Sequence, residues 1–225
     1  MKIKLLSLDV YNTLLRPTGS LGELACELAQ EYGHDVSPNA APLFQEVVYL
    51  VTREHSNLPD PDIGAMWVHS CQLWLRAAGV APLEPEEFAQ QMQAEMREEP
   101  RRLFEPFSDV DPAFEILKTK DVAVCALSNW DFTLEAVLAA YSWRAQLDYV
   151  VPCLVYGVHK PNPESYRLLT ELTGIEPNSI LHVGDSMVDD CIAPKSVGLS
   201  SRHIDRGSFA TGASARSLVD VVETL

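Results

Sequence analysis

A break in periodicity constrains this chain more than any other feature. Residues 1–16 and 101–225 alternate short apolar runs with helical segments, whereas no run between about 17 and 100 reads as a strand. Alternating strands and helices build βαβ units and a parallel sheet flanked by helices. The strand-free block therefore interrupts an α/β core after its first strand. This gives two domains: a core of residues 1–16 and 101–225, and a helical insert of residues 17–100.

The first strand is the run from Lys4 to Leu8, which lacks a helical period and stops at Asp9. A continuous apolar run of this kind suits a strand buried on both faces. Asp9 then falls at the carboxyl end of that strand, where open α/β sheets bind ligands. Later strands are expected at Val122–Leu127, Tyr149–Val151 with Leu154-Val155 as a continuation, Ile180–Val183 and Leu199–Ile204. Helices are expected over Pro112–Lys118, Thr133–Tyr141, from Asn162-Pro163 to Gly174, over Asp189–Val197, and from Ser214 onward. Within the insert, Ser20 and Glu23 form a capping box for a helix that Gly33 closes. A second helix starts at Ser37-Pro38 and carries Phe44, Val47, Val48 and Val51 as a stripe. A third runs from Asp62 to Gly79, and an acidic fourth from Pro85 to Glu99.

The net charge of −15 excludes nucleic acid as a partner, because the phosphate backbone would be repelled. A small anion responds to local charge instead. Five cysteines, none in CxxC spacing, read as reduced buried thiols rather than a zinc site or a disulfide framework. No run of about 18 apolar residues exists to span a membrane, and the first apolar run is too short for a signal peptide. The expected location is the cytoplasm.

Asp9, Ser128 and Asp185 each end a predicted strand, and parallel strands bring their carboxyl ends to one edge. Lys160 sits in a loop between two further core elements. Two carboxylates, a hydroxyl and a lysine suit a magnesium-assisted phosphate site. Magnesium takes few carboxylates plus water and phosphate oxygens, while lysine and a hydroxyl bind the remaining charged oxygens.

Four segments occur in order at these positions: Asp9-Val10-Tyr11-Asn12-Thr13, Leu127-Ser128-Asn129, Lys160-Pro161-Asn162-Pro163, and Val183-Gly184-Asp185 through Asp190. Together they resemble the four motifs of the haloacid dehalogenase-like hydrolase superfamily, over essentially the whole chain. The resemblance implies a Rossmann-like core and makes the helical insert a mobile cap. It implies that Asp9 is the nucleophile of an aspartyl-phosphate mechanism, with Thr13 and Ser128 as orienting hydroxyls and Lys160 balancing the clustered negative charge. Asn129 and Tyr11 fall at substrate-binding positions. Magnesium would be held by Asp9, the Tyr11 carbonyl, Asp185 and Asp190, with Asp189 competing for the last place. The implied partner is a small phosphorylated or otherwise anionic molecule, for a monomer or homodimer.

Tyr11 departs from that pattern, since phosphatases of the family usually carry an aspartate there as general acid and base. Tyrosine, with a pKa near 10, exchanges protons poorly at neutral pH, and losing such help costs roughly 10²- to 10⁴-fold in rate. Alkyl phosphates should then turn over weakly and good leaving groups better. Tyr11 also resembles the true 2-haloacid dehalogenases, whose aspartate attacks carbon without magnesium. Those enzymes usually replace the acid after the glycine with serine, whereas this chain keeps Gly184-Asp185 and adds Asp189 and Asp190. A carboxylate cluster without a cation repels itself, so the metal-dependent reading is preferred. A binding protein on a decayed enzyme scaffold is a third reading, suggested by Tyr11 alone.

The remaining features have plainer readings. Met66, Trp67 and Trp74 pack the insert, His159 and His182 are structural, Arg16 and Arg53 are solvated surface charges, and the run from Glu84 to Glu99 is an exposed helix face.

Overall fold

The computed structural model describes residues 2–55, 62–80, 84–207 and 214–225. In chain order the elements begin with β1 (Leu5–Leu8), β2 (Leu15–Pro17), α1 (Leu21–Glu31), α2 (Ala40–His55), α3 (Ile63–Ala77), α4 (Pro85–Glu98), α5 (Pro100–Leu103) and β3 (Phe104–Pro106). They continue with α6 (Val110–Leu117), β4 (Ala123–Ser128), α7 (Leu134–Ala140), β5 (Tyr149–Pro152), α8 (Glu164–Thr173), β6 (Ile180–Gly184), α9 (Ala193–Ser196), β7 (Ser200–His203) and α10 (Leu218–Glu223). The chain forms two compact units, Met1–Arg16 with Glu105–Leu225, and Pro17–Phe104. The short strands β2 and β3, absent from the sequence reading, pair as a two-stranded ribbon where the chain passes between units.

The first unit is a Rossmann-like α/β fold. Its five strands lie in the order β5-β4-β1-β6-β7, and all are parallel. β1 is central, and every residue of it is buried, as a strand covered on both faces requires. Its register sets Ser7 opposite Cys125 on one side and His182 on the other. After β1 the chain builds outward through β4 and β5, then returns to β6 and β7 on the opposite flank. Sheets of this topology open a crevice at the carboxyl ends where the direction reverses. Leu5, Cys125, Leu127, Val151, Tyr166 and Leu169 fill one layer of the core.

The second unit is helical. The capping box of α1 is present, with the Glu23 N–H donating to Ser20 Oγ at 3.0 Å and the Ser20 N–H to Glu23 Oε2 at 2.7 Å. Trp74 is its packing centre: it is fully buried, edge-on to Phe44 at 5.4 Å and stacked on Phe88 at 5.8 Å. Its indole N–H donates to the Ala40 carbonyl at 2.8 Å. Met66 and Trp67 are buried on the same helix. Gly22 brings α1 against α2 so closely that a Cβ there would lie 1.8 Å from the Ala41 carbonyl oxygen.

Three local expectations differ from the structure. Leu154-Val155 is not a strand but part of a 3₁₀ turn, Cys153–Tyr156, closed by Gly157 at φ 67°. Pro152 ends β5 there because it has no N–H to continue the ladder. The last helix starts at Leu218 rather than Ser214, because Ala215 instead bridges Ile204 and the Ser217 hydroxyl caps the Val219 N–H. The helix expected from Asp189 begins earlier, as a π-helical turn over Met187–Ile192. Among the described residues no helix is long and apolar enough to cross a membrane.

Candidate active site

The carboxyl rim of the sheet gathers Asp9, Ser128, Lys160, Asp185 and Asp190. Asp9 follows β1 directly, and its N–H donates to the Val183 carbonyl at 2.9 Å, which extends the ladder by one residue. Its Oδ1 accepts from Ser128 Oγ at 3.1 Å and from Lys160 Nζ at 2.7 Å. Lys160 Nζ also donates to Asp190 Oδ1 at 2.7 Å, so one ammonium bridges two carboxylates. All three residues are at most 5% exposed. Asn129 holds Lys160 by its backbone: its Nδ2 donates to the Lys160 carbonyl at 3.0 Å, and its Oδ1 accepts the Lys160 N–H at 2.7 Å.

The π-helical turn decides which of two adjacent acids enters the site. Ser186 Oγ accepts the Asp189 N–H at 3.1 Å, and the Ser186 carbonyl accepts the Asp190 N–H at 2.8 Å. Asp190 turns inward, where the Ser186 N–H donates to its Oδ2 at 2.9 Å. Asp189 lies outside the cluster, with its carbonyl bonded to the Tyr166 hydroxyl. Gly184 makes the inward turn possible, since a Cβ on it would sit 2.2 Å from the Asp190 carboxyl carbon. No signal in the sequence pointed to that role.

Burial pushes the Asp9 carboxyl up to about 6; Lys160 opposes this, while Asp190 and Asp185 add to it. Burial also acts on Asp190, but Lys160 and His182 outweigh it and hold its carboxyl well below the usual carboxylate range. Burial would lower Lys160, yet Asp9 and Asp190 carry it well above its ordinary value. The half-buried Asp185 is raised by burial and by Asp190. The ammonium is thus firmly charged, and of its two carboxylate partners Asp9 is raised while Asp190 is depressed.

Asp9, Asp185 and Asp190 offer carboxylate oxygens within 4.8 Å of one another. Three carboxylates against one ammonium leave two negative charges without a partner, which fits a divalent cation. A second observation agrees: the Thr13 hydroxyl is fully buried and has no hydrogen-bond partner among the described residues. Thr13 lies in the turn after Asp9, where Asn12 adopts φ 56° and the Val10 carbonyl accepts from Leu14 and Leu15 at 2.9 Å each. Tyr11 is 36% exposed, and burial followed by Asp185 raises its hydroxyl above the ordinary value.

Other residues named from the sequence have separate places. Arg16 pairs with Glu105 at 2.6 Å, and Arg53 reaches the Tyr49 hydroxyl of its own helix at 3.4 Å. His182 is fully buried and bonds Asp190, so it faces the carboxylate from within the core.

Fold and site together define an α/β protein that carries an acidic, lysine-anchored centre on the carboxyl rim of a parallel sheet. The chain belongs to the haloacid dehalogenase-like hydrolase family, whose model matches residues 3–198. It is 29% identical over 218 residues to the human haloacid dehalogenase-like hydrolase domain-containing protein 3, covering 89% of this chain and 81% of that protein. The Xenopus laevis protein of the same description is 26% identical over 215 residues, covering 89% and 84%. Among solved structures, the L-2-haloacid dehalogenase from Xanthobacter autotrophicus superposes with a TM-score of 0.71 at 21% identity, covering 98% of this chain and 97% of that one. The HAD-hydrolase YfnB from Bacillus subtilis, solved bound to magnesium, gives 0.74 at 14% identity, covering 100% and 99%. At such identities the two structures speak for the fold.

Proposed function

We propose that this hydrolase is a magnesium-dependent phosphomonoester hydrolase working through an aspartyl-phosphate on Asp9. The observation that carries the reading is the uncompensated charge of the Asp9, Asp185 and Asp190 cluster around the single ammonium of Lys160. Asp9, Asp185 and Asp190, with the Tyr11 carbonyl, would hold the magnesium. When bound, the ion supplies the missing positive charge and polarises a phosphoryl oxygen.

The residues of the chain then divide the work. Ser128 and Lys160 occupy Asp9 Oδ1, which leaves Oδ2 to attack phosphorus. The Oδ2–P bond forms as the ester P–O bond breaks, and the departing oxygen takes a proton from solvent or from the Tyr11 hydroxyl. Water next attacks phosphorus, releasing inorganic phosphate and restoring the carboxylate. Thr13 has a free hydroxyl donor for this region, and Lys160 neutralises charge on the phosphoryl oxygens. Because Tyr11 is held above its ordinary pKa, it is a weak proton donor to an alkoxide leaving group. The helical unit would serve as the cap that selects the substrate.

A 2-haloacid dehalogenase is the second reading, favoured by Tyr11 alone. There Asp9 would attack carbon and the halide would leave with the bonding pair, needing no proton donor. Two assays separate them. Aryl phosphate hydrolysis that depends on magnesium and exceeds alkyl phosphate hydrolysis supports the phosphatase, whereas chloride release from 2-chloropropionate in EDTA supports the dehalogenase. Tyr11→Asp should raise alkyl phosphate turnover by about 10²- to 10⁴-fold under the first reading. An unchanged rate would show that the missing acid does not limit it.

A further inference from the structure

The site rests on a polar chain inside the core that the reaction does not use. Ser7 and His182 face each other across β1 and β6, and both are fully buried. Ser7 Oγ lies 2.9 Å from His182 Nδ1, and His182 Nε2 lies 3.0 Å from Asp190 Oδ1. Tyr166 closes the other side, its ring edge-on to the imidazole at 5.3 Å. An ionised carboxylate only accepts hydrogen bonds, so the Asp190 contact requires a proton on Nε2. In a neutral ring Nδ1 is then the acceptor, and the Ser7 hydroxyl donates to it.

We propose that His182 is a positioning residue, carrying its proton on Nε2 toward Asp190 with the Ser7 hydroxyl at Nδ1, and that it fixes the Asp190 carboxylate for cation binding. Asp190 Oδ1 accepts from both Lys160 and His182, and Oδ2 accepts from the Ser186 N–H. Three donors from three separate segments immobilise the carboxylate. If His182 were removed, Lys160 and Ser186 would remain, but the face of Asp190 toward the core would lose its only side-chain support among the described residues besides Lys160. Outer partners that orient a ligand typically change metal affinity by about 10- to 100-fold when removed. The cation part of the inference rests on the magnesium reading above, whereas the tautomer does not.

Two measurements on the full chain test it. Nitrogen-15 NMR of the histidine side chains in metal-free protein should show the His182 proton on Nε2, and Ser7→Ala should shift the Nδ1 resonance without moving that proton. An Nδ1–H ring overturns the proposal. Titration calorimetry with magnesium alone should show His182→Leu binding about 10- to 100-fold more weakly, with most of the affinity restored by His182→Gln, whose amide offers a donor. Unchanged affinity in His182→Leu, or no rescue by Gln, overturns it. Should His182→Leu fail to fold, Ser7→Ala takes its place, with a smaller loss expected and unchanged affinity counting against the proposal. Wild-type protein that binds no magnesium, yet carries the Nε2–H signature, overturns the magnesium reading and upholds the hold of His182 on Asp190.

Discussion

The two units of this protein bury opposite things. At the centre of the helical unit stands Trp74, an aromatic ring whose single polar atom is bonded to a backbone carbonyl and which packs edge-on with Phe44 and stacks on Phe88. At the carboxyl rim of the α/β unit's sheet stands Lys160, also buried, with a carboxylate on either side. Apolar burial favours folding at about 25 cal/mol per Å², whereas buried ion pairs recover little more than their desolvation cost. The first arrangement therefore fixes a shape. The second gives up stability to keep charged groups together, as the proposed reaction needs.

The largest test of this contrast is Asp9→Asn. With Asp9 as the proposed nucleophile, turnover should fall by at least about 10⁴-fold, the scale seen when such a group is removed. Neutralising one of three crowded carboxylates should leave the metal-free denaturation midpoint unchanged or higher, since Lys160 keeps Asp190 as its partner. A clear loss of stability would mean that the Asp9–Lys160 pair holds the fold together, and the contrast would fail. Trp74→Ala is the converse experiment. It should cost about 3–5 kcal/mol by chemical denaturation, from lost burial and the cavity left behind. Whatever hydrolase activity the wild type shows should persist under conditions where the variant remains folded.

The sequence carried the skeleton of the site more clearly than its supports. Asp9, Ser128 and Asp185 were legible because a buried strand reads as an apolar run, and in a parallel sheet the polar residues that end such runs share one edge. The choice between Asp189 and Asp190 was not legible, because a π-helical turn shifts side-chain direction in a way no local periodicity reveals. The role of Gly184 depends on a close approach between backbone and a side chain six residues later. Ser7 did leave a trace: a hydroxyl inside a strand of leucines needs a buried partner. Only the register of β1 against β6 reveals that this partner is His182. The strand expected at Leu154-Val155 failed for a local reason, since Pro152 had already ended the ladder.

A smaller test lies at the edge of the contrast, where a charge pair supports structure rather than chemistry. Both oxygens of Asp109 accept from Arg206 Nη1 at 2.7 Å, and its Oδ2 also takes the Leu218 N–H at the start of α10, at 2.5 Å. The same guanidinium lies 4.2 Å from the Phe107 ring centre and donates to the Thr13 carbonyl at 2.5 Å. Burial pushes the Asp109 carboxyl upward, but the Arg206 and Leu218 bonds outweigh it, and the net shift is below the ordinary value of 3.8. A group whose pKa is depressed by folding contributes stability above its unfolded value and loses it as pH falls through the folded one. Wild type should therefore exceed Asp109→Asn in urea midpoint at neutral pH, with the gap shrinking below about pH 4 and closing once the carboxyl is protonated. A gap that stays constant down to about pH 2 would show that packing, rather than the charge on Asp109, ties Arg206 to the loop after Asp9.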